Sequence, residues 1–569
     1  SFIRVPCFLH RMSPYFTGTA GLCQGRARPR PGGSRARTDF PCPLPRIVLK
    51  SGERTHTPAR GGGGRTREPR PCNFMSIGIG FDNQRYVETQ SAHIRERIGQ
   101  FGGKLYLEFG GKLFDDYHAA RVLPGFAPDS KIRMLLALRD SVEVVVVINA
   151  AAIEQNKVRG DLGITYDEDV LRLIDTFRGE GLYVGSVTIT QYAGQPAADA
   201  FKRRLEGFGV RVYLHYPIPG YPHDVRRIVS EDGFGKNDYI ETTKPLVVVT
   251  APGPGSGKMA TCLSQLYHHH IRGVRAGYAK FETFPIWNLP LNHPVNLAYE
   301  AATADLNDVN MIDPFHLQAY GETTVNYNRD VEVFPVLQAM FGEIMGESPY
   351  KSPTDMGVNM VGHCIVEDGA VCAAAKQEIV RRYYAALCDR RRGQGSDETV
   401  YKLELLMKQA QAGPELRPVI RAAEDKAEER GEPAAAIQLP DGRVAVGKTS
   451  ELMGAAAAAL LNALKALSGI HRKTHLISRE AIEPIQALKV GHLGSRNPRL
   501  HSDEVLIALA ISTATVPLAA QALDSLDKLR DCEAHSSVIL TAADSGTYSR
   551  LGLRLTCTPR YQGSQLYHK

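Results

Sequence analysis

The segment of this chain best suited to chemistry is a glycine loop between a valine-rich strand and a helix. It reads LVVVTAPGPGSGKMATCL over residues 246–263, and the loop ends in Gly257-Lys258. Free backbone N–H groups and the dipole of the following helix converge at such a loop and attract an anion, most often a phosphate. The sequence therefore predicts a phosphate site with Lys258 as its point charge. The predicted phosphate-binding residues are Gly253, Gly255, Ser256, Gly257, Lys258 and Thr261.

The loop departs from the consensus phosphate loop, Gly-x-x-x-x-Gly-Lys-Ser/Thr, in two places. Pro252 occupies the position of the first glycine, and Met259, which has no hydroxyl for Mg²⁺, follows the lysine. Thr261 lies on the same helical face as Lys258, and we predict that its hydroxyl substitutes for the missing one. The alternative interpretation is a tight turn in which the glycines only allow close packing.

A literal match to the consensus occurs at residues 442–449, GRVAVGKT, but we predict that it is not a nucleotide site. Its middle residues alternate as they do in a strand, whereas a phosphate cradle needs a compact loop. The Pro440-Asp441-Gly442 turn signal already explains the first glycine. We therefore expect a β-hairpin here.

Lys280 and Glu282 lie on one face of a predicted strand just after the glycine-loop helix. Because ligands gather at the carboxyl ends of strands in open α/β sheets, we predict that both line the site as catalytic residues beside Lys258. A plain surface ion pair is the alternative. The candidate Mg²⁺ ligands are Asp305, Asp308 and Asp313. The alternative is that these aspartates cap helices and form turns.

A second group of polar side chains precedes a helix predicted over residues 503–512, with Ser502 as its N-cap. The basic groups ahead of that cap have no structural explanation, so we predict a second anion or substrate site at Arg496, Arg499 and His501. A competing interpretation of the region is a metal-dependent hydrolase, although no metal is assigned. Its ligands would be His492, His501, Cys532 and His535.

These residues need a scaffold that brings them together. From residue 76 to residue 283, short apolar strands alternate with helices, a pattern typical of a parallel sheet covered on both faces. We predict that this α/β domain extends over 76–330 and carries the phosphate-loop-like turn. A helical domain is predicted over 331–430, and a smaller C-terminal α/β subdomain over 431–569.

The 569-residue chain has a net charge of +7 that is unevenly distributed. Residues 1–75 contain fourteen Lys and Arg against three Asp and Glu, which leaves −4 for the rest of the chain. We expect this Pro-, Gly- and Arg-rich extension to be disordered and foreign to the native structure. The alternatives are an organelle transit peptide and a functional basic arm. The acidic body argues against nucleic acid as a partner.

The composition of the chain indicates its cellular compartment and argues against a membrane partner. No run approaches the ~20 apolar residues that span a bilayer, so no membrane partner is predicted. The six cysteines of the body are scattered without CxxC pairs, as in a reducing compartment. We predict a cytoplasmic protein, or an organellar one if the extension is a transit peptide. Its partner would be a phosphorylated small molecule or a nucleotide, and a homo-oligomer is left open.

Several blocks of the sequence are long enough to be specific to one family. They include KLYLEFGGKLFDDYHAARVLPGF, TAPGPGSGKMATCLSQLYH, KFETFPIWNLPLNHPVNLAYEAATADLNDVNMIDPFH and HLGSRNPRLHSDEVLIAL. These blocks resemble an uncharacterised, largely bacterial family, domain of unknown function eighteen forty-six, over nearly the whole body. The resemblance implies a cytosolic three-part α/β protein whose C-terminal subdomain is similar to cytidine deaminases in topology. The HxE and PCxxC motifs of those deaminases are missing, so deamination is not implied.

The leading hypothesis from the sequence is a phosphate- or nucleotide-binding protein, either a phosphotransferase or an ATP-dependent ligase. Its cofactors would be ATP and Mg²⁺. Some relatives are labelled ATP-dependent peptidases, but no residues here support that label. The alternatives are a non-catalytic assembly or regulatory protein and the metal-dependent hydrolase.

Overall fold

The computed structural model describes residues 78–159 and 162–563 of the chain. The predicted basic extension, residues 1–75, lies outside the described residues. The strands are β1 Leu105–Phe109, β2 Val142–Asn149, β3 Val158–Arg159, β4 Ile164–Thr165, β5 Tyr183–Thr190, β6 Arg211–Leu214, β7 Leu246–Thr250, β8 Gly277–Phe281, β9 Asn310–Ile312, β10 Val325–Tyr327, β11 Gly357–Val358, β12 Ala434–Gln438, β13 Val444–Lys448, β14 Glu533–Ser536 and β15 Arg554–Cys557.

Helices connect and cover these strands. They are α1 Asn83–Gln100, α2 Tyr117–Val122, α3 Ser130–Leu136, α4 Ala150–Glu154, α5 Tyr166–Gly179, α6 Pro196–Gly207, α7 Val225–Ile228, α8 Lys258–Ile271, α9 Pro294–Ala302, α10 Pro314–Tyr320, α11 Asn328–Met345, α12 Pro353–Met356, α13 Asp368–Arg392, α14 Asp397–Gln409, α15 Pro418–Arg430, α16 Ala455–Leu467, α17 Arg479–Gly491, α18 Ser502–Ser512, α19 Pro517–Leu523 and α20 Ala542–Arg550.

A seven-stranded parallel sheet forms the centre of the larger part, in the order β11-β8-β1-β7-β2-β5-β6. Its central strands are continuous apolar runs, and every residue of β1 and β7 is buried. Valine and other β-branched residues favour strands, and only a sheet covered on both faces can bury such runs completely. The predicted α/β class is confirmed, with a large parallel sheet.

The order of the strands creates a crevice between β1 and β7. The chain leaves β1 for β2, which lies beyond β7, and it leaves β7 for β8, which lies on the other side of β1. Parallel crossovers are right-handed, so two connections that run in opposite directions cover opposite faces of the sheet. The carboxyl ends of β1 and β7 therefore flank a topological switch point, where open α/β sheets usually bind ligands.

One hydrophobic core runs through this larger part, from Phe81 to Ala410. It includes buried residues of α11, α13 and α14, and β11 extends the sheet by pairing with β8. The helical domain predicted over residues 331–430 thus shares its core with the sheet up to Ala410. The boundaries predicted at 330 and 430 remain predictions.

A separate core lies in the C-terminal part, around a four-stranded sheet in the order β13-β12-β14-β15. β12 and β13 form the expected antiparallel hairpin, while β14 and β15 are parallel. Residues 444–448 are therefore a strand, and Gly442 occupies the turn with φ of 84°. This confirms the predicted β-hairpin, and a strand at residues 444–448 is not the compact loop that a phosphate cradle needs. The likeness to cytidine deaminase topology stays a prediction.

Helices of the described residues are too short or too polar to cross a lipid bilayer.

Candidate anion-binding cleft

The glycine loop follows β7 and opens at the switch point. Gly255 and Gly257 have φ of 77° and 89°, in the left-handed region that favours glycine. Gly257 is the N-cap of α8 and, having no side chain, leaves the helix N-terminus uncovered. A Cβ at Gly253 would lie 2.3 Å from the hydroxyl oxygen of Tyr166, so any other residue at this position would displace the tyrosine ring. The glycines thus serve both the turn and the approach of neighbouring groups.

The carbonyl groups of the loop point to protein partners, whereas its amides do not. The Thr190 hydroxyl donates to the carbonyl oxygen of Ser256 at 2.7 Å, and the Ser256 hydroxyl donates to that of Gly253 at 2.8 Å. Asn149 donates to the carbonyl of Gly255 at 3.3 Å. In residues 78–159 and 162–563, no acceptor receives the backbone N–H groups from Gly255 to Lys258. This leaves a row of free donors at the start of α8.

A cleft of about 460 Å³ lies in front of this loop. Its walls come from the segments after β1 and β7, from β3 and α5, and from the region of α9. Among the described residues, its charged lining is predominantly basic, and the rings of Phe109, Phe114, Tyr166 and Tyr299 also line it. The basic side chains are Lys112, Arg159, Arg172, Lys258 and Arg329, and the acidic ones are Asp115 and Asp308.

Lys258 differs from the arginines of the cleft in having no counter-ion among the described residues. Arg172 lies 2.7 Å from the buried Asp169, and Arg329 lies 2.7 Å from Asp308. No acceptor in the described part of the chain forms a hydrogen bond or an ion pair with the Lys258 ammonium. Its charge is therefore available to a ligand in the cleft.

Thr261 and two of the three candidate Mg²⁺ ligands lie away from the cleft lining. Thr261 is fully buried, and its hydroxyl lies 3.5 Å from His215 Nδ1. Asp313 caps α10 and accepts from the Thr354 hydroxyl, and Asp305 is exposed. Asp308 alone among the three aspartates lines the cleft.

Lys280 and Glu282 form a buried ion cluster behind the cleft rather than part of its lining. The Lys280 ammonium lies 2.6 Å from Asp330, 2.8 Å from Glu282 and 2.6 Å from the Tyr327 hydroxyl, which also donates to Glu282. The sequence did not identify Asp330 or Tyr327. The two predicted residues are brought together as expected, and their catalytic role remains a prediction.

The opposite charges of Lys280 and its two carboxylate partners shift the pKa values of this cluster. Burial lowers the pKa of Lys280, but the carboxylates of Asp330 and Glu282 outweigh it and hold the lysine pKa well above its usual value. Burial raises the pKa of Glu282, and the charge of Lys280 offsets this increase only in part. Lys280 is therefore a permanent cation, while Glu282 holds a proton more readily than an exposed glutamate.

The second predicted anion site lies in the C-terminal part, where its three residues have different surroundings. Arg496 is exposed, and Arg499 Nε donates to the carbonyl of Ser450 at 2.8 Å. His501 Nδ1 lies 2.9 Å from Asp544 Oδ2. Arg499 and His501 line one small pocket, and Arg496 does not.

The N-cap of α18 is His501, so the prediction of Ser502 as the cap is wrong. α18 begins at Ser502, and the backbone N–H of His501 donates to Glu504 Oε2 at 2.7 Å. The Ser502 hydroxyl instead donates to Asp544 at 2.6 Å. Because this buried carboxylate binds both Ser502 and His501, it shifts the cap by one residue.

Replacing His501 with Gln is expected to destabilise the protein by roughly 1.5 kcal/mol or more near pH 6, and by less at about pH 9. The hydrogen bond to Asp544 raises the pKa of His501 against the effect of burial. A raised histidine pKa stabilises the fold below the unfolded-state value and loses this effect as pH rises through the folded-state value.

Calorimetric unfolding of His501→Gln and of the unmodified protein at both pH values measures this difference. Burial raises the pKa of Asp544, but His501 and Ser502 outweigh it and lower the net value, so Asp544 stays charged throughout this range. Lys489 and Glu504 also face His501, and they pair with each other at 2.7 Å. An equal loss of stability at the two pH values would contradict a raised pKa of His501 in the folded protein.

The four proposed ligands of the metal-dependent hydrolase do not form a cluster in the residues that the structure describes. His535 is fully buried, with its ring nitrogens 2.8 and 3.0 Å from the hydroxyls of Thr556 and Thr558. Burial lowers its pKa to about 3. Burial raises the pKa of the Cys532 thiol to about 11, and His492 is exposed. The described residues therefore give no support to the metal-dependent hydrolase.

A different group, His293, Asp368 and Cys372, places three potential ligand atoms within 4.8 Å of one another. Sequence reasoning missed it because His293 and Asp368 are 75 residues apart. The Val295 N–H donates to His293 Nδ1 at 3.2 Å, which requires a lone pair there. The neutral ring then carries its proton on Nε2, 3.0 Å from Asp368. With Nε2 protonated, this group is a hydrogen-bonded helix terminus and not a ready metal site.

Comparison with known proteins identifies the family. The family described as "Domain of unknown function DUF1846, N-terminal" matches residues 79–411, and its C-terminal counterpart matches residues 415–567. The UPF0371 protein of Streptococcus thermophilus strain LMD-9 is 60% identical over 489 residues, which is 86% of this chain and 99% of that protein.

Two further relatives are similar to this chain over the same length. The UPF0371 protein of Streptococcus sanguinis strain SK36 is 60% identical over 491 residues, and that of Streptococcus pyogenes serotype M5 is 59% identical over 491 residues. Both alignments cover 86% of this chain and 99% of the relative. None of these names states an activity. The resemblance predicted from the sequence blocks is confirmed, and the chain belongs to the uncharacterised DUF1846 family.

Proposed function

We propose that this protein binds the phosphate group of a nucleotide or of a phosphorylated small molecule in the cleft in front of the glycine loop. The backbone N–H groups of Gly255, Ser256 and Gly257 would hold the phosphate oxygens, and Lys258 would supply the charge. Phosphoryl transfer depends mainly on positioning and electrostatic stabilisation, so a phosphotransferase or an ATP-dependent ligase is the reaction class that suits such a site.

One observation carries this proposal: Gly253 and Lys258 line the cleft, and the loop residues between them include backbone donors that have no acceptor in the described residues. The amides from Gly255 to Lys258 have no acceptor in the described residues, and the Lys258 ammonium has no partner there. Backbone donors without partners are uncommon in folded proteins unless water or a ligand binds them. A phosphate in the cleft would give the loop amides an acceptor and Lys258 a counter-ion, and the described residues supply neither.

The lining of the cleft limits which ligands suit it. Asp115 and Asp308 are the carboxylates among its described lining residues and would be the candidates for Mg²⁺ if the ligand is ATP. Lys112 and Asp115 also line a neighbouring cleft of about 990 Å³, whose other charged residues include Arg121, Arg530 and Arg550. A ligand with more than one anionic group would find basic side chains in both clefts.

The alternative is a non-catalytic assembly or regulatory protein in which the loop is structural. The close approach of Tyr166 to Gly253 and of Thr190 to Gly257 favours it, since a Cβ at Gly257 would lie 3.0 Å from the Thr190 hydroxyl. These contacts explain the glycines at two positions. They do not explain the open space around Gly255, or why Lys258 has no partner in the part of the chain that the structure describes.

Calorimetric titration of the full chain with adenosine, ADP, ATP and inorganic phosphate tests the proposal. We expect saturable binding of ADP or ATP in the presence of Mg²⁺, no measurable binding of adenosine, and displacement of the nucleotide by inorganic phosphate. Adenosine is the matched control because it has the base and the sugar without the anion. Equal affinity for adenosine and ADP, or no heat with any phosphate compound including a panel of sugar phosphates, would favour the structural alternative.

A further inference from the structure

A small pocket in the C-terminal part has the features of a second ligand site, independent of the glycine loop. It lies where the end of β13, the N-terminus of α16, the loop before α18 and the N-terminus of α20 meet. Its polar lining residues are Thr449, Asn497, Arg499, His501, Thr541, Asp544 and Gln562. Its volume is about 20 Å³.

The first wall of the pocket is the N-terminus of α16, a thirteen-residue helix. Its N-cap is Gly454, which has no side chain to accept from the first turn. The N–H groups of Ala455, Ala456 and Ala457 meet no acceptor in the residues that the structure describes, and all three residues are buried. Buried backbone donors almost always have a partner, so this end of the helix favours an anion or another acceptor.

Thr449 is a second and independent sign of a ligand. Its side chain is 2% exposed, and its hydroxyl oxygen has no hydrogen-bond partner in the described residues. A buried hydroxyl without a partner destabilises a protein unless something binds it. Thr449 lines the same pocket as Ala455 and Ala456, two of the three residues with free amides.

The third wall carries two basic side chains, His501 and Arg499, and one carboxylate, Asp544, whose oxygens already accept hydrogen bonds from the protein. Asp544 accepts from His501 Nδ1, from the N–H and hydroxyl of Ser502, and from the Thr541 hydroxyl, at 2.6 to 2.9 Å. These donors occupy both carboxylate oxygens. The His501 Nε2 atom forms no hydrogen bond in the described residues, and His501 lines the pocket. Arg499 adds a second positive charge beside it.

We propose that this pocket binds the carboxylate group of a small ligand. One water-sized atom needs about 10–15 Å³, so the pocket of about 20 Å³ admits one or two such atoms, which suits the oxygens of a carboxylate better than the four oxygens of a phosphate. The amides of α16 and the Thr449 hydroxyl donate to one side of the group, and His501 faces the other. The rest of the ligand extends through the open side of the pocket.

Acetate is the probe for this site, and the alanine amides at the start of α16 are the reporters. In the full chain labelled with ¹⁵N-alanine, the resonances of Ala455, Ala456 and Ala457 are assigned by single replacements with Gly. We expect acetate to shift these resonances saturably. Thr449→Val, which keeps the shape of the side chain, is expected to weaken acetate binding about tenfold, as for a lost hydrogen bond to a charged group.

Thr515→Val is the matched control, since Thr515 is an exposed threonine of the same part of the chain. It should leave the acetate affinity unchanged, and Thr449→Ser, which retains the hydroxyl, should bind nearly as well as the unmodified protein. Resonances of Ala455 to Ala457 that do not respond to acetate would overturn the proposal. Tighter binding of inorganic phosphate than of acetate would overturn the choice of a carboxylate. Because the unmodified protein gives both results, poor folding of a variant does not prevent a decision.

Discussion

Replacing Lys280 with Met is expected to lower the free energy of unfolding of the larger core by about 3–5 kcal/mol, the usual loss when one partner of a buried ion pair is removed. Lys280 is the cation shared by Asp330 and Glu282, and all three are largely buried. Methionine matches the length of the lysine stem but leaves two carboxylates without their counter-charge. One of them must then take up a proton or remain buried and charged.

Trp287 makes this loss measurable in the correct part of the molecule. It is the only tryptophan of the chain, and it packs against Gly357 of β11 in the larger core. Urea unfolding followed by its fluorescence therefore reports on that core.

Glu282→Gln is the matched control for Lys280→Met, because it keeps the Lys280–Asp330 pair. Glu282 already has a raised pKa, so a neutral amide should destabilise the core far less than the loss of Lys280. The double variant Lys280→Met with Asp330→Leu should recover part of the loss, since it no longer strands that carboxylate. A Lys280→Met variant as stable as Glu282→Gln would show that the cluster is not held by charge.

The elements of the fold were predictable from the sequence because local pattern determines them. The valine run of β7 and the alternation within β13 each have one favourable conformation, and both strands formed as predicted. The order of strands was not predictable. Nothing in the sequence of β7 states that it inserts between β1 and β2, yet this insertion creates the crevice at which the glycine loop opens.

In the candidate sites, too, local features were predictable from the sequence and long-range contacts were not. Residues within one loop or one strand, such as Lys258 and the Lys280–Glu282 pair, were identified from spacing. Their long-range partners were not, because Asp330 is 50 residues from Lys280 and Asp544 is 43 residues from His501. The Thr541-x-x-Asp544 pattern is a helix N-cap signal, and Thr541 does accept from the Asp544 amide at 3.2 Å. This signal could have drawn attention to Asp544, although not to its pairing with His501.

Replacing Lys258 with Ala is expected to weaken the binding of a phosphate-containing ligand by about 1.5–3 kcal/mol, roughly tenfold to more than a hundredfold in Kd. The free amides of the loop would still contact the phosphate, so binding should weaken without being abolished. Calorimetric titration with the tightest-binding compound of the phosphate panel measures the change.

The stability of Lys258→Ala separates a binding role of the lysine from a structural one. Because Lys258 has no ion pair or hydrogen bond in the described residues, its removal should change the urea midpoint reported by Trp287 very little. Lys202→Ala is the matched control, since Lys202 lies on the surface of α6, 3.8 Å from Glu206 and outside the cleft. It should bind the ligand as the unmodified protein does. Unchanged affinity of Lys258→Ala for the ligand would show that the Lys258 charge does not contribute to binding. A large loss of stability would show that Lys258 has a structural role instead.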